Sequence, residues 1–250
     1  MPMTLFDMHC HLDFFDNARS AAAKADEQDL KCFSVTVTPR DFGRAFELLG
    51  SHPNIRVGLG LHPWWVADGS CGWEDIALFE QMASGSSFIG EVGLDFGKRC
   101  KGSEAVQLAA FERVLATCGH GGKVVSVHAV RAEDAMLDML ERFGTARANA
   151  CIMHWFSGSS DQLQRAIGLG CFFSVGPKMA ASKRGREYVK AIPEDRLLLE
   201  TDAPAGPGAP ASSFDLAGLL SDTLDEIERL RGLDAAARIE QTSERLFSGF

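Results

Sequence analysis

The feature that most restricts the fold is an alternation repeated eight times along the chain. Short apolar or β-branched runs fall at residues 4–9, 32–38, 55–61, 88–93, 123–128, 151–155, 171–175 and 197–201. Most are apolar almost without interruption, as strands of a parallel sheet covered on both faces are. Longer stretches with helical periodicity separate them. In "SEAVQLAAFERVLATCGH", Leu108, Phe111, Leu115 and Cys118 recur at the spacing of one helix face. In "SGSSDQLQRAIGLG", Ser159 and Gln162 form a capping box and glycine closes the segment. "FDLAGLLSDTLDEIERL", after the eighth run, is helical again.

Eight β-then-α units in 250 residues predict an α/β fold, a (β/α)8 TIM barrel, as one domain over residues 1–250. The competing architecture is an open doubly wound sheet. Its dinucleotide-binding form would carry Gly-x-Gly-x-x-Gly after the first strand, and that signature is absent. The Pro- and Gly-rich "APAGPGAPASS", residues 203–213, lies between the eighth strand and its helix and is expected as a flexible loop over the barrel mouth.

The formal charge is −9, with 25 Lys and Arg against 34 Asp and Glu. That balance argues against nucleic-acid binding through a broad basic surface. It leaves open a local patch, or metal cations that grip a single phosphodiester. The seven cysteines contain no Cys-x-x-Cys pair and several sit inside apolar runs, which predicts buried, reduced thiols. No apolar run reaches membrane-spanning length and the N-terminus lacks a signal pattern, so a cytoplasmic protein with no membrane partner is expected.

Catalytic residues of a TIM barrel gather at the C-terminal ends of its strands. The unusual polar residues of this chain fall there: His9 and His11, His62, Glu91, His128, His154 and Asp202. Residues two apart on a strand share a face, so His9 and His11 should both face the axis, with Asp7 one layer deeper. Cys10 should then point outward and pack. His52 and His120 lie away from strand ends and are read as ordinary structural histidines. Burying Glu91 and Asp202 together without a cation would cost heavily in desolvation and repulsion. One or two divalent metals (Mg, Mn or Zn) would remove that cost, and four imidazoles with two carboxylates suit them. His62 is a candidate for supporting the site or touching substrate.

The segments "HCHLDF", "GEVGLDF", "VHA", "HWFSGS" and "LLLETDAP", in this order, resemble the TatD family of metal-dependent deoxyribonucleases, within the amidohydrolase superfamily. The likeness runs over nearly the whole chain, and "QLAAF" at Gln107 to Phe111 extends it. More narrowly, the chain resembles the TatD-like component of Qat anti-phage systems, which implies protein partners in a defence assembly. The family resemblance implies that His9, His11 and Asp202 bind one metal and His128 and His154 a second, with Glu91 bridging. It implies a DNA substrate, single-stranded or at DNA ends, cleaved exonucleolytically. The chain departs from the family where Val130 and Arg131 replace an Arg-Asp pair. The loop after strand eight has no Arg or Asn, and Trp155 replaces a small residue.

The expected chemistry is phosphodiester hydrolysis by a two-metal-activated water, with Glu91 and Asp202 as the catalytic carboxylates and Asp202 accepting the proton. Two basic segments follow strands four and seven. Lys98, Arg99 and Lys101 come from the first, and Lys178, Lys183, Arg184 and Arg186 from the second. Of these, Lys98, Arg99, Lys101, Lys178 and Arg184, with His62, are the substrate-binding candidates. Trp64, Trp65 and Trp155 are placed to stack on bases. Amide or ester hydrolysis is the alternative enzyme class on the same scaffold.

Overall fold

The computed structural model describes residues 3–249. Its centre is one parallel sheet of eight strands in sequential order. They are β1 (Phe6–Cys10), β2 (Lys31–Val35), β3 (Ile55–Leu61), β4 (Phe88–Asp95), β5 (Val124–Val130), β6 (Ala150–His154), β7 (Phe172–Val175) and β8 (Leu197–Leu199). Helices alternate with them, and the expected barrel is what forms. The Ser159 capping box is present: Ser159 Oγ accepts from the Gln162 N–H at 3.2 Å and Gln162 Oε1 from the Ser159 N–H at 2.7 Å.

The ring closes between β8 and β1 beyond the regular ladder. The Asp202 N–H donates to the His9 carbonyl and the His11 N–H to the Ala203 carbonyl, both at 2.9 Å. One residue earlier, Thr201 turns to a side chain instead. Its N–H donates to Asp7 Oδ1 at 3.0 Å and its hydroxyl to Asp7 Oδ2 at 2.6 Å. The strand expected over 197–201 therefore ends at Leu199 as regular structure. Burial pushes the Asp7 carboxyl up to about 7 despite these bonds.

Two apolar layers pack on the sheet. The outer one lies between strands and helices and includes Cys10, Cys32, Phe111, Leu115 and Phe173. The inner one fills the barrel and holds Phe6, Met8, Phe33, Val35, Phe88, Ile152 and Leu198. A final helix over Asp234–Phe247 closes the floor, sending Leu246 and Phe247 into that inner layer. Phe247 meets Phe6 edge-on at 5.8 Å, and the Arg56 guanidinium lies 4.4 Å from the Phe247 ring centre. All seven cysteines are buried free thiols, as expected.

Two local irregularities decide which side chains reach the axis. On β1, Asp7 pairs with Cys32 but Cys10 with Ser34, so β1 advances three residues against two. This extra residue breaks the strict alternation. Met8 belongs to the inner layer and Cys10 to the outer. His9 and His11 face the site as expected, but Asp7 does not stand beneath them; it points into the β8 seam. On β4, Ile89 pairs with Val125 and Glu91 with Ser126, leaving Gly90 as the extra residue. Phe88 is inner and Ile89 outer, and the inserted Gly90 brings Glu91 back inward. A Cβ on Gly90 would lie 2.6 Å from the Gly58 carbonyl oxygen, so the strands can approach this closely only through glycine.

Candidate metal centre

All six residues expected as ligands converge at the C-terminal ends of the strands, around the carboxylate of Glu91. Its two oxygens face different partners. Oε2 lies 3.8 Å from His9 Nε2 and 3.5 Å from His11 Nε2. Oε1 lies 3.0 Å from His62 Nε2, 3.0 Å from His128 Nδ1 and 3.3 Å from His154 Nε2. Asp202 Oδ1 completes the first side, 3.6 Å from His9 Nε2 and 3.5 Å from His11 Nε2. The His9 and His154 rings stack at 3.9 Å, so the two sides abut.

Hydrogen bonds to backbone groups fix the tautomers of His11 and His62. His11 Nδ1 lies 3.0 Å from the Val35 carbonyl oxygen, which can only accept. The Nδ1 of His11 therefore carries hydrogen, and in the neutral ring Nε2 holds a lone pair facing the site. His9 Nδ1 is paired with the Ser126 hydroxyl of β5 at 2.7 Å. Its Nε2 is buried without any hydrogen-bond partner. A buried imidazole nitrogen with no donor beside it is what a metal ligand looks like before its cation is counted. His62 is built the other way round. Its Nδ1 accepts from the Trp64 N–H at 3.1 Å, so its Nε2–H donates to Glu91. His62 sits within metal-ligating distance of Glu91 and His128, but this tautomer makes it a donor that steadies Glu91.

Two carboxylates in the site were not anticipated. Asp95, the last residue of β4, places Oδ2 3.2 Å from His128 Nε2 and accepts from Trp64 Nε1–H at 2.6 Å. Its main chain is clamped by the buried Gln107: the Asp95 N–H donates to Oε1 and Nε2–H donates to the Asp95 carbonyl, both at 2.7 Å. Glu200 is fully buried, 3.5 Å from His154 Nδ1, and accepts from Ser174 Oγ and from the Trp155 N–H at 3.1 Å. Both lie in quoted motifs, and each stands an even number of residues from a predicted ligand. That spacing, four after Glu91 and two before Asp202, was the available signal.

The electrostatics of the cluster are those of a site that expects positive charge. Burial alone would raise Glu91, but the surrounding imidazoles, His62 first, hold it well below the usual carboxylate range. Burial pushes Asp202 up, but the hydrogen bond to His11 and the nearby His154 and His9 together hold it down at about 2. Burial depresses His62 to about 4 and holds His9 well below the ordinary imidazole value. Burial also opposes charge on His11 and His154, yet their carboxylate partners win and both are raised. Four carboxylates and five histidines thus compete for too few protons, and a divalent cation fits the donor set without that competition. Among the described residues, His9, His154 and Asp202 form one group able to hold an ion, and His9, His11 and Glu91 another.

Above the cluster opens a cavity of about 610 Å³. Of the five basic side chains expected to bind substrate, Arg99 and Lys178 line it. Lys98 and Lys101 flank Arg99 on the exposed turn but do not reach the cavity. Arg184 is diverted: its guanidinium donates to the Gly158 carbonyl and, at 2.6 Å, to the Tyr188 hydroxyl, so it braces a loop. Trp64 is also committed, with Arg99 4.1 Å from its ring centre, Trp65 stacked at 6.3 Å and its N–H bound to Asp95. The loop expected to be flexible does cover the mouth, where Pro204 to Pro207 line the cavity. It is tied down, with Gly208 N–H donating to the Phe14 carbonyl at 2.7 Å and Asp16 N–H to the Ala209 carbonyl at 2.9 Å. Asp202 and Trp155 take left-handed backbone angles, φ 53° and 40°. Such conformations cost about 1–3 kcal/mol each and are held at functional sites by their surroundings.

The chain is similar to several known proteins. A "3'-5' ssDNA/RNA exonuclease TatD" of Edwardsiella piscicida is 35% identical over 200 residues, covering 76% of this chain and 75% of that one. A metal-dependent hydrolase of Bacillus subtilis is 28% identical over 208 residues, covering 80% of each chain. The crystal structure of YJJV, a TatD homologue from Escherichia coli K12, superposes with a TM-score of 0.81 over 98% of both chains at 24% identity. A lactonase of Deinococcus radiodurans shares the fold at a TM-score of 0.65 and 13% identity, covering 98% of this chain and 95% of that one. The family model for TatD-related DNases matches residues 6–248, from the first strand of the site to the helix that closes the floor, and the chain belongs to that family of metal-dependent hydrolases.

Proposed function

We propose that the chain hydrolyses phosphodiester bonds of single-stranded nucleic acid, releasing nucleotides from the 3′ end, with two divalent metal ions as cofactors. The observation that carries the reading is the division of Glu91, one oxygen toward His9 and His11, the other toward His128 and His154. In this assignment His9, His11 and Asp202 would hold one ion and His128 and His154 the other, with Glu91 available to both. The relatives named as single-strand exonucleases support the substrate, and so does a mouth whose cations are Arg99 and Lys178.

When bound, such ions supply a water of lowered pKa and positive charge for the phosphate oxygens. The chain's own groups do the rest. Asp202 is the more exposed of the two central carboxylates, its side chain 27% accessible against 5% for Glu91, and it takes the proton of the attacking water. His62, by donating to Glu91, keeps that carboxylate fixed and unprotonated. Asp95 and Ser126 orient His128 and His9. The floor and the outer layer exclude water from beneath the site.

The test is nucleotide release from labelled single- and double-stranded DNA and RNA with Mg, Mn or Zn, beside a lactone and a carboxylic ester. Release from single strands that stops on chelation supports the reading. Turnover of the ester or lactone with no nucleotide release removes it. Membership of an anti-phage assembly rests on the sequence resemblance, and it predicts that partner proteins co-purify with the chain.

A further inference from the structure

Trp155 stands directly after His154, and it is the aromatic of the cavity whose ring is least committed. Phe14 stacks on His11 at 4.7 Å and Trp64 on Trp65 at 6.3 Å. His62 meets both of these tryptophans edge-on. Trp155 stacks on no other ring among the described residues and is 37% exposed, one of the few large hydrophobics so placed. Its partner is a cation: Lys178 Nζ lies 4.8 Å from its ring centre, and both residues line the cavity. The platform is fixed from behind. The Trp155 N–H is held at 3.1 Å by the fully buried Glu200, which also lies 3.5 Å from His154.

An exposed indole beside an ammonium group, anchored to a residue of the metal centre, matches the chemistry of one nucleotide. The ring offers a face to a base, and the cation an attraction to the adjoining phosphate. We propose that Trp155 and Lys178 form a subsite that stacks the terminal base of a single strand and pairs with a neighbouring phosphate. This rests on the nuclease reading above and adds a specificity to it. A base locked in a duplex has no free face for Trp155, so the subsite selects unpaired ends. Trp64 and Arg99, on the far side of β5, do not duplicate it, because Trp64 packs against Arg99 and Trp65 and is held by Asp95.

The experiment measures kcat and KM of the metal-loaded enzyme on a short single-stranded oligonucleotide and on the same strand with an abasic 3′ residue. Trp155→Ala should raise KM about tenfold on the first and less than twofold on the second. Trp155→Phe should recover most of the loss, since a flat ring is what the base needs. Equal losses on both strands, or none on either, would overturn the subsite while leaving the nuclease reading intact. A wild-type enzyme that trims no strand would remove both. Lys178→Ala leaves the Trp155 backbone untouched. It should reduce the slope of log affinity against log salt by about one phosphate contact, and an unchanged slope removes the lysine from the subsite.

Discussion

The two ends of the barrel are built from the same eight strands and solve opposite problems. At the floor, Phe6 meets Phe247 and Phe33 meets Phe88 edge-on within one apolar layer, and the cations Lys31 and Arg56 touch it only from its rim. At the mouth, Glu91, Asp95, Glu200 and Asp202 stand among five histidines, with His9 Nε2 unpaired. The floor gains stability from buried apolar area. The mouth gives stability up, because each buried charge there is satisfied only in part by its neighbours. The contrast shows where selection for chemistry has overridden selection for packing. It also predicts that substitutions at the two ends separate activity from stability.

The largest expected effect is at the mouth. Glu91→Gln keeps the shape but removes the shared charge, and kcat/KM on single-stranded DNA should fall at least ~10²–10³-fold. Thermal unfolding of the same variant should fall by less than its activity, since the amide keeps the shape and its oxygen can still accept from His62. At the floor the pattern reverses. Phe247→Ala should cost about 3–5 kcal/mol in denaturant unfolding, while the fraction that remains folded retains the wild-type kcat/KM. A drop in turnover matching that at Glu91 would show that the two ends are not separable.

Between the ends lies Ser126, inward-facing on β5 and bonded to His9 Nδ1. Ser126→Ala should weaken metal binding by about 10–100-fold, read by competition with a chelator, with a smaller effect on stability. The smallest effect concerns pH. His11 and His154 are raised above the ordinary imidazole value by their carboxylate neighbours, so an ion has to compete with protons more strongly there than at a free imidazole. Metal affinity should therefore rise as pH increases through the range in which they titrate, and binding should release protons. Calorimetry in buffers of different ionisation enthalpy measures that release, and a heat independent of the buffer would contradict it.

Much of the mouth was legible in the sequence because strand ends are where a parallel barrel concentrates polar residues. The alternation of runs and helices implied the ring, and the even spacing of His9 and His11 implied a shared face. What the sequence hid were departures from strict periodicity. Nothing in "FDMHCH" announces that one extra residue on β1 turns Asp7 into the seam with β8. Nor does "IGEVG" show that Gly90 is inserted to bring Glu91 inward. Arg184 shows a related gap: sequence proximity to the mouth says nothing about which carbonyl captures a long side chain, and here Gly158 does. Asp95 and Glu200 carry no sequence mark beyond their even spacing from Glu91 and Asp202, because a carboxylate that supports a histidine looks like any other carboxylate at a strand end.

The central claim is that one carboxylate, Glu91, is shared between two metal ions. The most direct measurement is the number of ions bound per chain after reconstitution and gel filtration, determined by elemental analysis for the wild type and for Glu91→Gln. Two equivalents are expected in the wild type, with loss of at least one on substitution. One equivalent in the fully active wild type, or two retained without Glu91, would contradict it.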